Sequence, residues 1–280
     1  MKQKKFGTGG PDVSVIGQGT WYLDRGDRKT AVAALCRGIE TGMTHIDTAE
    51  MYGDAELVIA DAMAGLPREK LFLVSKVLPS NASRRGTITA CERSLKRLKT
   101  DHLDCYLLHW RGSYPFEETV AAFDELVDAG KIRSWGVSNF DSDDLDELLD
   151  VAGEGKIACN QVLYHLQERA IEHAVIPWCE QHGVAVVAYS PFGHDDFPSA
   201  RSKGGEVLQA IADAHKATAR QVALAFLTRA ASVLAIPKAS SAEHAAENAA
   251  AGNLKLSDAE IVALDRAFPR GPKPRGLPML

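Results

Sequence analysis

The sequence lacks the features that would place it in a membrane, in a secretory pathway or on nucleic acid. No apolar run reaches the roughly 18 residues that a bilayer-spanning helix requires. The basic segment Met1–Lys5 is followed by Thr8-Gly9-Gly10-Pro11, where a signal peptide would need apolar residues. The net charge of −5 argues against binding to a phosphate backbone. These absences predict a cytoplasmic protein with no membrane and no nucleic-acid partner.

Paired cysteines and a dinucleotide-binding glycine motif are also missing. The five cysteines are odd in number and contain no CxxC, so we expect reduced, mostly buried thiols and no metal site. No GxGxxG is present, which argues against a Rossmann fold. With 280 residues, 45% of them hydrophobic, the chain suits one large domain, and no linker divides residues 1–280.

Short apolar runs alternate with helical patterns along most of the chain. Eight strands are predicted, at Val15–Gly19 and near residues 44–47, 71–76, 103–109, 132–137, 157–162, 184–189 and 233–237. Helical periods lie near residues 28–41, 55–63, 84–98, 116–129, 141–150, 172–182 and 220–230, and a further helix is expected to begin near His244. Such alternation implies a parallel sheet, and eight units over this length favour an α/β fold of the (β/α)8 TIM barrel type.

Four segments lie outside this repeat. Residues 5–16 hold two apolar stretches separated by glycines and a proline, which predicts an N-terminal β-hairpin. Two extra helices are expected, one near residues 205–216 and one after Ser257, which would be its N-cap. The proline-rich tail from Pro269 to Leu280 predicts a loop or a cover strand.

Polar side chains stand at the ends of three successive predicted strands. Asp47 ends one strand and Tyr52 follows in the turn, while Lys76 and His109 end the next two strands. In a barrel of this kind the strand ends meet at one rim, where active sites lie. A phenol has a pKa of roughly 10 in water and becomes a useful acid when a cation, itself held by a carboxylate, lies beside it. Any one of these residues alone would be read as structural, but their grouping predicts a proton-transfer site.

The same rim carries further motifs, and together with these four residues they resemble the aldo-keto reductase superfamily over essentially the whole chain. Within that family the sequence looks most like the bacterial branch that contains methylglyoxal reductases. The resemblance rests on Gly17-Gln18-Gly19-Thr20-Trp21, Asp47 to Tyr52, Val74-Ser75-Lys76, Leu107-Leu108-His109-Trp110, Gly130 to Phe140, Asn160-Gln161, Ala188-Tyr189-Ser190-Pro191 and Ile236-Pro237-Lys238.

The resemblance implies an NADPH-dependent carbonyl reductase. Tyr52 would be the general acid, Lys76 would lower the pKa of Tyr52, Asp47 would hold Lys76, and His109 would orient the carbonyl. A small carbonyl compound would be the substrate, in a pocket formed by Trp21, Met51, Tyr52, His109 and Trp110. The family pattern places the cofactor on Gly19, Thr20, Trp21, Asp47, Ser138, Asn139, Gln161, Tyr189, Ser190, Pro191, Phe192, Ile236, Lys238, Ser240, His244, Glu247 and Asn248.

The predicted adenosine end departs from the family pattern. Many NADPH-preferring members have an arginine where His244 lies and a serine where Ala239 lies. An arginine grips a phosphate through a planar fork that a histidine lacks. Lys238 remains as a phosphate contact, so NADPH is still expected, with a modest preference over NADH.

Two other functions remain open from the sequence. Some relatives act mainly as cofactor-sensing subunits of ion channels, with little turnover. An unrelated barrel enzyme acting on phosphates would need a glycine loop after strands seven and eight, where Pro191 and Pro237 lie. The physiological substrate is not predicted, and a monomer is expected because relatives of this size are usually monomeric.

Overall fold

A small hairpin opens the chain and closes one end of the molecule. In the computed structural model, which describes residues 1–280, strands β1 (Gln3–Lys5) and β2 (Asp12–Ser14) pair in antiparallel fashion. Phe6 and Val13 of this segment are buried against apolar residues inside the barrel. The hairpin therefore closes the barrel at the amino-terminal ends of its strands. This agrees with its predicted place in the chain, just before the first barrel strand.

Eight parallel strands form the barrel in the order in which they occur along the chain. They are β3 (Gln18–Gly19), β4 (His45–Asp47), β5 (Phe72–Val77), β6 (Leu103–Leu108), β7 (Ile132–Ser138), β8 (Ile157–Leu163), β9 (Ala185–Tyr189) and β10 (Val233–Ala235). The two edges join because the Gly17 N–H donates to the Ala235 carbonyl at 2.8 Å, and the Ala235 N–H donates to the Val15 carbonyl at 3.0 Å. The predicted (β/α)8 barrel with its N-terminal hairpin is confirmed.

Ten α-helices surround the sheet. They are α1 (Arg28–Glu40), α2 (Ala55–Ala62), α3 (Arg84–Leu98), α4 (Phe116–Asp128), α5 (Ser142–Ala152), α6 (Val175–Gln181), α7 (Lys203–His215), α8 (Ala219–Leu227), α9 (Ala242–Ala251) and α10 (Asp258–Ala267). Helices α7 and α10 are the two that exceed the repeat. Helix α6 begins three residues later than predicted, because Ala170–Glu172 form a separate 3₁₀ turn.

Side-chain caps define several helix starts where the sequence predicted them. Asp141 accepts hydrogen bonds from the N–H groups of Asp143 and Asp144 at the start of α5. Ser257 and Glu260 form a reciprocal capping box at the start of α10. The first helix ends as Gly42 adopts a φ of 95°, a conformation that favours glycine.

The core has two parts because the strands are covered on both faces. The larger part lies between the sheet and the helices, and the smaller part lies inside the barrel with the hairpin. Every residue of β5 is buried, for example, which explains its nearly continuous apolar sequence. All five cysteines are free, and four of them are buried. None of the helices is both long and apolar enough to span a membrane.

Candidate active site

The turn after β4 brings Asp47 and Tyr52 to the end of the barrel opposite the hairpin. Asp47 is the last residue of β4. Pairing with β5 continues one residue further, since the Thr48 N–H donates to the Val74 carbonyl at 2.9 Å. Gly53 then adopts a φ of 53°, which turns the chain into α2. The short stretch between strand and helix thus presents one carboxylate and one phenol to the rim.

Lys76 and Asp47 form a buried ion pair below the rim. Lys76 Nζ donates to Asp47 Oδ1 at 2.5 Å and to the Thr48 carbonyl at 2.8 Å, and both charged side chains are almost entirely hidden from solvent. Burial lowers the pKa of Lys76, but the Asp47 carboxylate and Tyr52 outweigh it, so the pKa lies above its usual value. Burial raises the pKa of Asp47, whereas the hydrogen bonds from Lys76 and Gln161 favour the carboxylate. Lys76 is therefore a fixed positive charge.

The Tyr52 ring lies next to this charge. Lys76 Nζ is 4.9 Å from the centroid of the Tyr52 ring. Burial raises the pKa of Tyr52 above that of a free phenol, and the charge of Lys76 acts in the opposite direction. The expected lowering by Lys76 is therefore present, but it does not prevail over burial. A phenol in this environment is protonated at neutral pH and can donate a proton.

His109 faces Tyr52 as a neutral imidazole. The two rings are 5.7 Å apart and nearly perpendicular. Burial, together with the charge of Lys76, lowers the pKa of His109 to about 2. A neutral imidazole has a single N–H to donate, so His109 can orient an acceptor oxygen near Tyr52 but cannot serve as the acid at neutral pH.

A groove of about 860 Å³ begins at this site and runs across the rim. It is the place where the structure gathers most of the predicted cofactor residues. Those that line it are Gly19, Thr20, Trp21, Asp47, Gln161, Tyr189, Ser190, Pro191, Phe192, Ile236, Lys238, Ser240, His244, Glu247 and Asn248.

The inner end of the groove is held by hydrogen bonds between polar side chains. Gln161 Nε2 donates to Asp47 Oδ2 at 2.7 Å. Tyr189 Oη donates to Asn139 Oδ1 at 2.9 Å, and Asn139 Nδ2 donates to the His109 carbonyl at 3.1 Å. Asn139 has a φ of 62°, a conformation that asparagine tolerates better than most residues. These bonds fix an aromatic face and several amide groups beside the Tyr52 site.

The outer end of the groove is more open and carries basic groups beside a helix start. Lys238 and His244 are exposed, and Ser241 caps α9 by accepting a hydrogen bond from the His244 N–H at 3.2 Å. Free N–H groups in the first turn of a helix favour an anion. This end can therefore receive a phosphate group.

A second cavity of about 70 Å³ adjoins the groove. Trp21, Met51, Tyr52, His109 and Trp110, the residues predicted for the substrate pocket, all line it. Ser138 and Asn139 also lie here rather than along the groove, while Gln161 and Tyr189 line both spaces. Phe192 lines only the groove. Tyr52 and Trp21 belong to both cavities and mark their junction.

The structure adds lining residues that the predicted site did not include. The groove also contacts Tyr22, Gly193, His194, Asp195, Phe197 and Arg220. The Arg220 guanidinium lies 4.9 Å from the centroid of the Phe197 ring, near the start of α8. Leu280 lines the small cavity, and its N–H donates to Tyr189 Oη at 3.3 Å. A basic residue just after the Thr218 cap was a readable signal for Arg220, whereas nothing local marked Leu280.

Comparison with known protein families identifies the class to which this fold and this rim belong. The model of the Aldo/keto reductase family matches residues 15–268. The chain belongs to this family of enzymes, as the motifs at the strand ends indicated.

Individual relatives cover nearly the whole chain. Methylglyoxal reductase YeaE of Escherichia coli is 51% identical over an alignment of 279 positions, which covers 96% of this chain and 96% of its own. Glyoxal reductase of Bacillus subtilis is 34% identical and covers 95% of this chain and 94% of its own. An aldo-keto reductase of Klebsiella pneumoniae, crystallised in complex with NADPH, superposes with a TM-score of 0.93 at 45% identity over the full length of both chains.

Proposed function

We propose that this enzyme reduces small aldehydes and ketones, of the methylglyoxal type, to alcohols with NADPH, and that Tyr52 is the general acid. The observation that carries the proposal is the position of Tyr52. Its phenol lies beside the buried ammonium of Lys76, opposite a neutral His109, at the junction of the groove and the small cavity. A proton donor at that junction can contact both a cofactor in the groove and a substrate in the small cavity.

The residues of the groove fit NADPH. Tyr189 offers an aromatic face at the inner end, and the carbonyl oxygen of Gln161 is left to accept a hydrogen bond because its NH₂ group is bound to Asp47. Lys238 and the start of α9 offer positive charge and N–H groups at the outer end. When bound, NADPH supplies the hydride. The similar Klebsiella enzyme is described in complex with NADPH, which supports the same choice here.

Tyr52 and His109 would serve the carbonyl oxygen as it gains negative charge. Both groups can donate a hydrogen bond toward the same point, and fixed donors of this kind stabilise developing charge. Tyr52 then transfers its proton to that oxygen. Lys76 stabilises the phenolate that remains, and Asp47 holds Lys76 in place through a direct ion pair.

The small cavity supports a compact, uncharged substrate. It has a volume of about 70 Å³ and contains two tryptophans and one methionine. Lysine and arginine are absent from its lining, so no cation is present to bind a substrate carboxylate. Relatives at 51% and 34% identity are a methylglyoxal reductase and a glyoxal reductase, which act on dicarbonyls of this size.

Turnover of a carbonyl panel with each cofactor tests the assignment. We expect NADPH-dependent reduction of methylglyoxal and glyoxal, and slower reduction of keto acids of the same length. Tight NADPH binding without turnover of any carbonyl would instead favour a cofactor-sensing subunit. Failure to bind NADPH would contradict the proposal entirely.

Substitution of Tyr52 by phenylalanine tests the general acid. We expect the rate of reduction to fall by about 10²–10⁴, the usual contribution of general acid catalysis. The dissociation constant for NADPH should not change, because the ring remains in place. Tyr114→Phe is the matched control, since Tyr114 is exposed and lies outside both cavities. Wild-type turnover in Tyr52→Phe would disprove the role.

A further inference from the structure

The turn that carries Tyr52 is held from two sides by charged residues outside both cavities. On one side Arg97, from α3, donates to the Gly53 carbonyl at 2.5 Å and to Asp54 Oδ1 at 3.1 Å. On the other side Asp24 accepts a hydrogen bond from the Asp54 N–H at 3.1 Å. Neither Arg97 nor Asp24 lines the groove or the small cavity. Gly53 and Asp54, directly after Tyr52, are therefore held by hydrogen bonds to their backbone.

Arg97 is itself fixed by a buried carboxylate. Its Nε donates to Glu56 Oε2 at 3.0 Å, and the Glu56 side chain is only 1% exposed. The other carboxylate oxygen of Glu56 accepts a hydrogen bond from Ser75 Oγ at 3.0 Å. Ser75 immediately precedes Lys76 on β5. The same carboxylate therefore connects the strand that carries Lys76 with the side chain that holds the Tyr52 turn.

The contacts around the turn leave no room for a side chain at Gly53. A side chain at this position would collide with the Asp24 carboxylate, and the φ of 53° is strained for any residue other than glycine. The turn is therefore defined by its external contacts as well as by its own sequence. Catalytic groups must be held within a fraction of an ångström of the reacting geometry, and residues outside the site often provide that restraint.

We propose that Arg97, fixed by Glu56, is a positioning residue that sets the distance between the Tyr52 phenol and the Lys76 ammonium. The inference rests on the proposed role of Tyr52 as general acid. Arg97 touches neither substrate nor cofactor, and acts only through the turn. If the turn loosens, the phenol moves away from Lys76 and loses part of the charge that lowers its pKa.

Arg97→Lys separates this role from a purely stabilising one. A lysine keeps the positive charge beside the buried Glu56, but it lacks the fork that reaches Gly53 and Asp54 at the same time. We expect a folded enzyme with unchanged NADPH affinity and a kcat lower by up to about 10²-fold, the cost of a misplacement of about 1 Å. In alcohol oxidation, which needs the Tyr52 phenolate, the rise of kcat with pH should shift to higher pH.

Two further variants keep the result interpretable. The double variant Glu56→Gln/Arg97→Gln removes both charges, so that no unpaired carboxylate remains buried, and it should show the same shift of the pH profile. Arg84→Gln changes an arginine of the same helix that pairs with Glu125 at the surface, and its kinetics should match wild type.

The outcomes are distinct. Lower kcat with the shifted oxidation profile in both Arg97 variants supports the proposal. Wild-type kcat, or a loss of kcat that follows only the folded fraction with an unshifted profile, overturns it. If Tyr52→Phe were fully active, the function proposed for Tyr52 would fail instead, and that experiment does not involve Arg97.

Discussion

The pair formed by Asp47 and Lys76 is completely buried, and this determines how either residue responds to substitution. Removal of one partner from a buried ion pair leaves an unpaired charge and costs about 3–5 kcal/mol, whereas removal of both is tolerated far better. Gln161 remains bonded to Asp47 when Lys76 is replaced, but an amide cannot neutralise a carboxylate. A change at Lys76 therefore affects the stability of the barrel as well as the chemistry.

Lys76→Met should abolish carbonyl reduction and lower the free energy of unfolding by about 3–5 kcal/mol. The double variant Asp47→Asn/Lys76→Met should recover most of that stability without recovering activity. Urea unfolding and NADPH-linked turnover measure the two effects. Arg28→Gln, which breaks an exposed pair with Asp61, is the control and should cost under about 1 kcal/mol. A fully stable Lys76→Met variant would show that the buried Asp47 carboxylate does not need Lys76 as a partner for the fold to be stable.

His244 lies where the groove meets the start of α9, at the end that we propose receives the phosphate of the adenosine half. An arginine grips a phosphate through a planar fork of donors, which a histidine lacks. The exposed Lys238 lies at the same end of the groove.

His244→Arg should tighten NADPH binding and leave NADH binding unchanged. A planar fork of donors replaces a side chain that lacks one, and only NADPH carries the phosphate that this fork would bind. Dissociation constants for both cofactors, in wild type and in the variant, provide the measurement. His182→Arg, at a histidine outside the groove, is the matched control. Equal affinities for the two cofactors in wild type would show that neither Lys238 nor His244 contacts the 2′-phosphate.

A buried lysine of the N-terminal hairpin binds the segment between α8 and the start of β10. Lys4, in the middle of β1, is only 7% exposed. Its Nζ donates to the carbonyls of Thr228, Ala230 and Val233 at 2.6, 2.5 and 2.7 Å. Three acceptors match the three donors of an ammonium group. The hairpin is thus attached to the loop between α8 and β10 at the end of the barrel remote from the groove.

Lys4→Met should destabilise the fold by about 3 kcal/mol, because buried carbonyls lose their hydrogen-bond donor. The kcat should stay at its wild-type value, since the hairpin is far from Tyr52. Thermal or urea unfolding and steady-state kinetics provide the two readouts. Lys5→Met removes only the exposed pair with Asp12, and should change stability by under about 1 kcal/mol. A lower kcat in folded Lys4→Met would mean that the N-terminal hairpin influences the site around Tyr52 at the opposite end of the barrel.

Helix α9 shows how an element can be weak in sequence and definite in structure. Its buried face consists of Ala245, Ala249 and Ala251 with Asn248. Alanine is the best helix former but gives little apolar contrast, so a periodicity search finds no strong signal. Helix α9 was predicted only because a helix was expected after the last strand, beginning near His244. In the barrel the small side chains allow close packing against the neighbouring helices.

The inner part of the rim contains titratable side chains whose pKa values are shifted by burial and by neighbouring charges. Burial holds the pKa of Tyr52 above its usual value, the pKa of Lys76 also lies above its usual value, and that of His109 is about 2. In the mechanism proposed above, reduction uses the protonated phenol, which predominates at every pH below the pKa of Tyr52. Oxidation of an alcohol would use the phenolate, which becomes more abundant as the pH rises.

The kcat for reduction at saturating NADPH should therefore be flat between about pH 5 and pH 9, while the kcat for alcohol oxidation rises through this range. Saturation removes any contribution of His244 to cofactor affinity. Steady-state rates in both directions across the range test the prediction. An inflection of the reduction rate near pH 6–7 would contradict it and would point to His109 as the proton donor.

The sequence by itself determined the barrel and the identity of its rim residues. Apolar runs of strand length, separated by helical periods, allow few other folds, and strand ends in a barrel converge on one rim whatever the loops do. Asp47, Tyr52, Lys76 and His109 could therefore be found from their positions alone. The tertiary structure decided what depends on distance between remote segments. Arg97 on the Gly53 carbonyl, Lys4 on three carbonyls and Leu280 beside Tyr189 leave no local pattern, because each contact joins residues that are far apart in the chain. Burial is likewise a property of the whole fold, and for that reason the pKa of Tyr52 is raised despite the cation beside it.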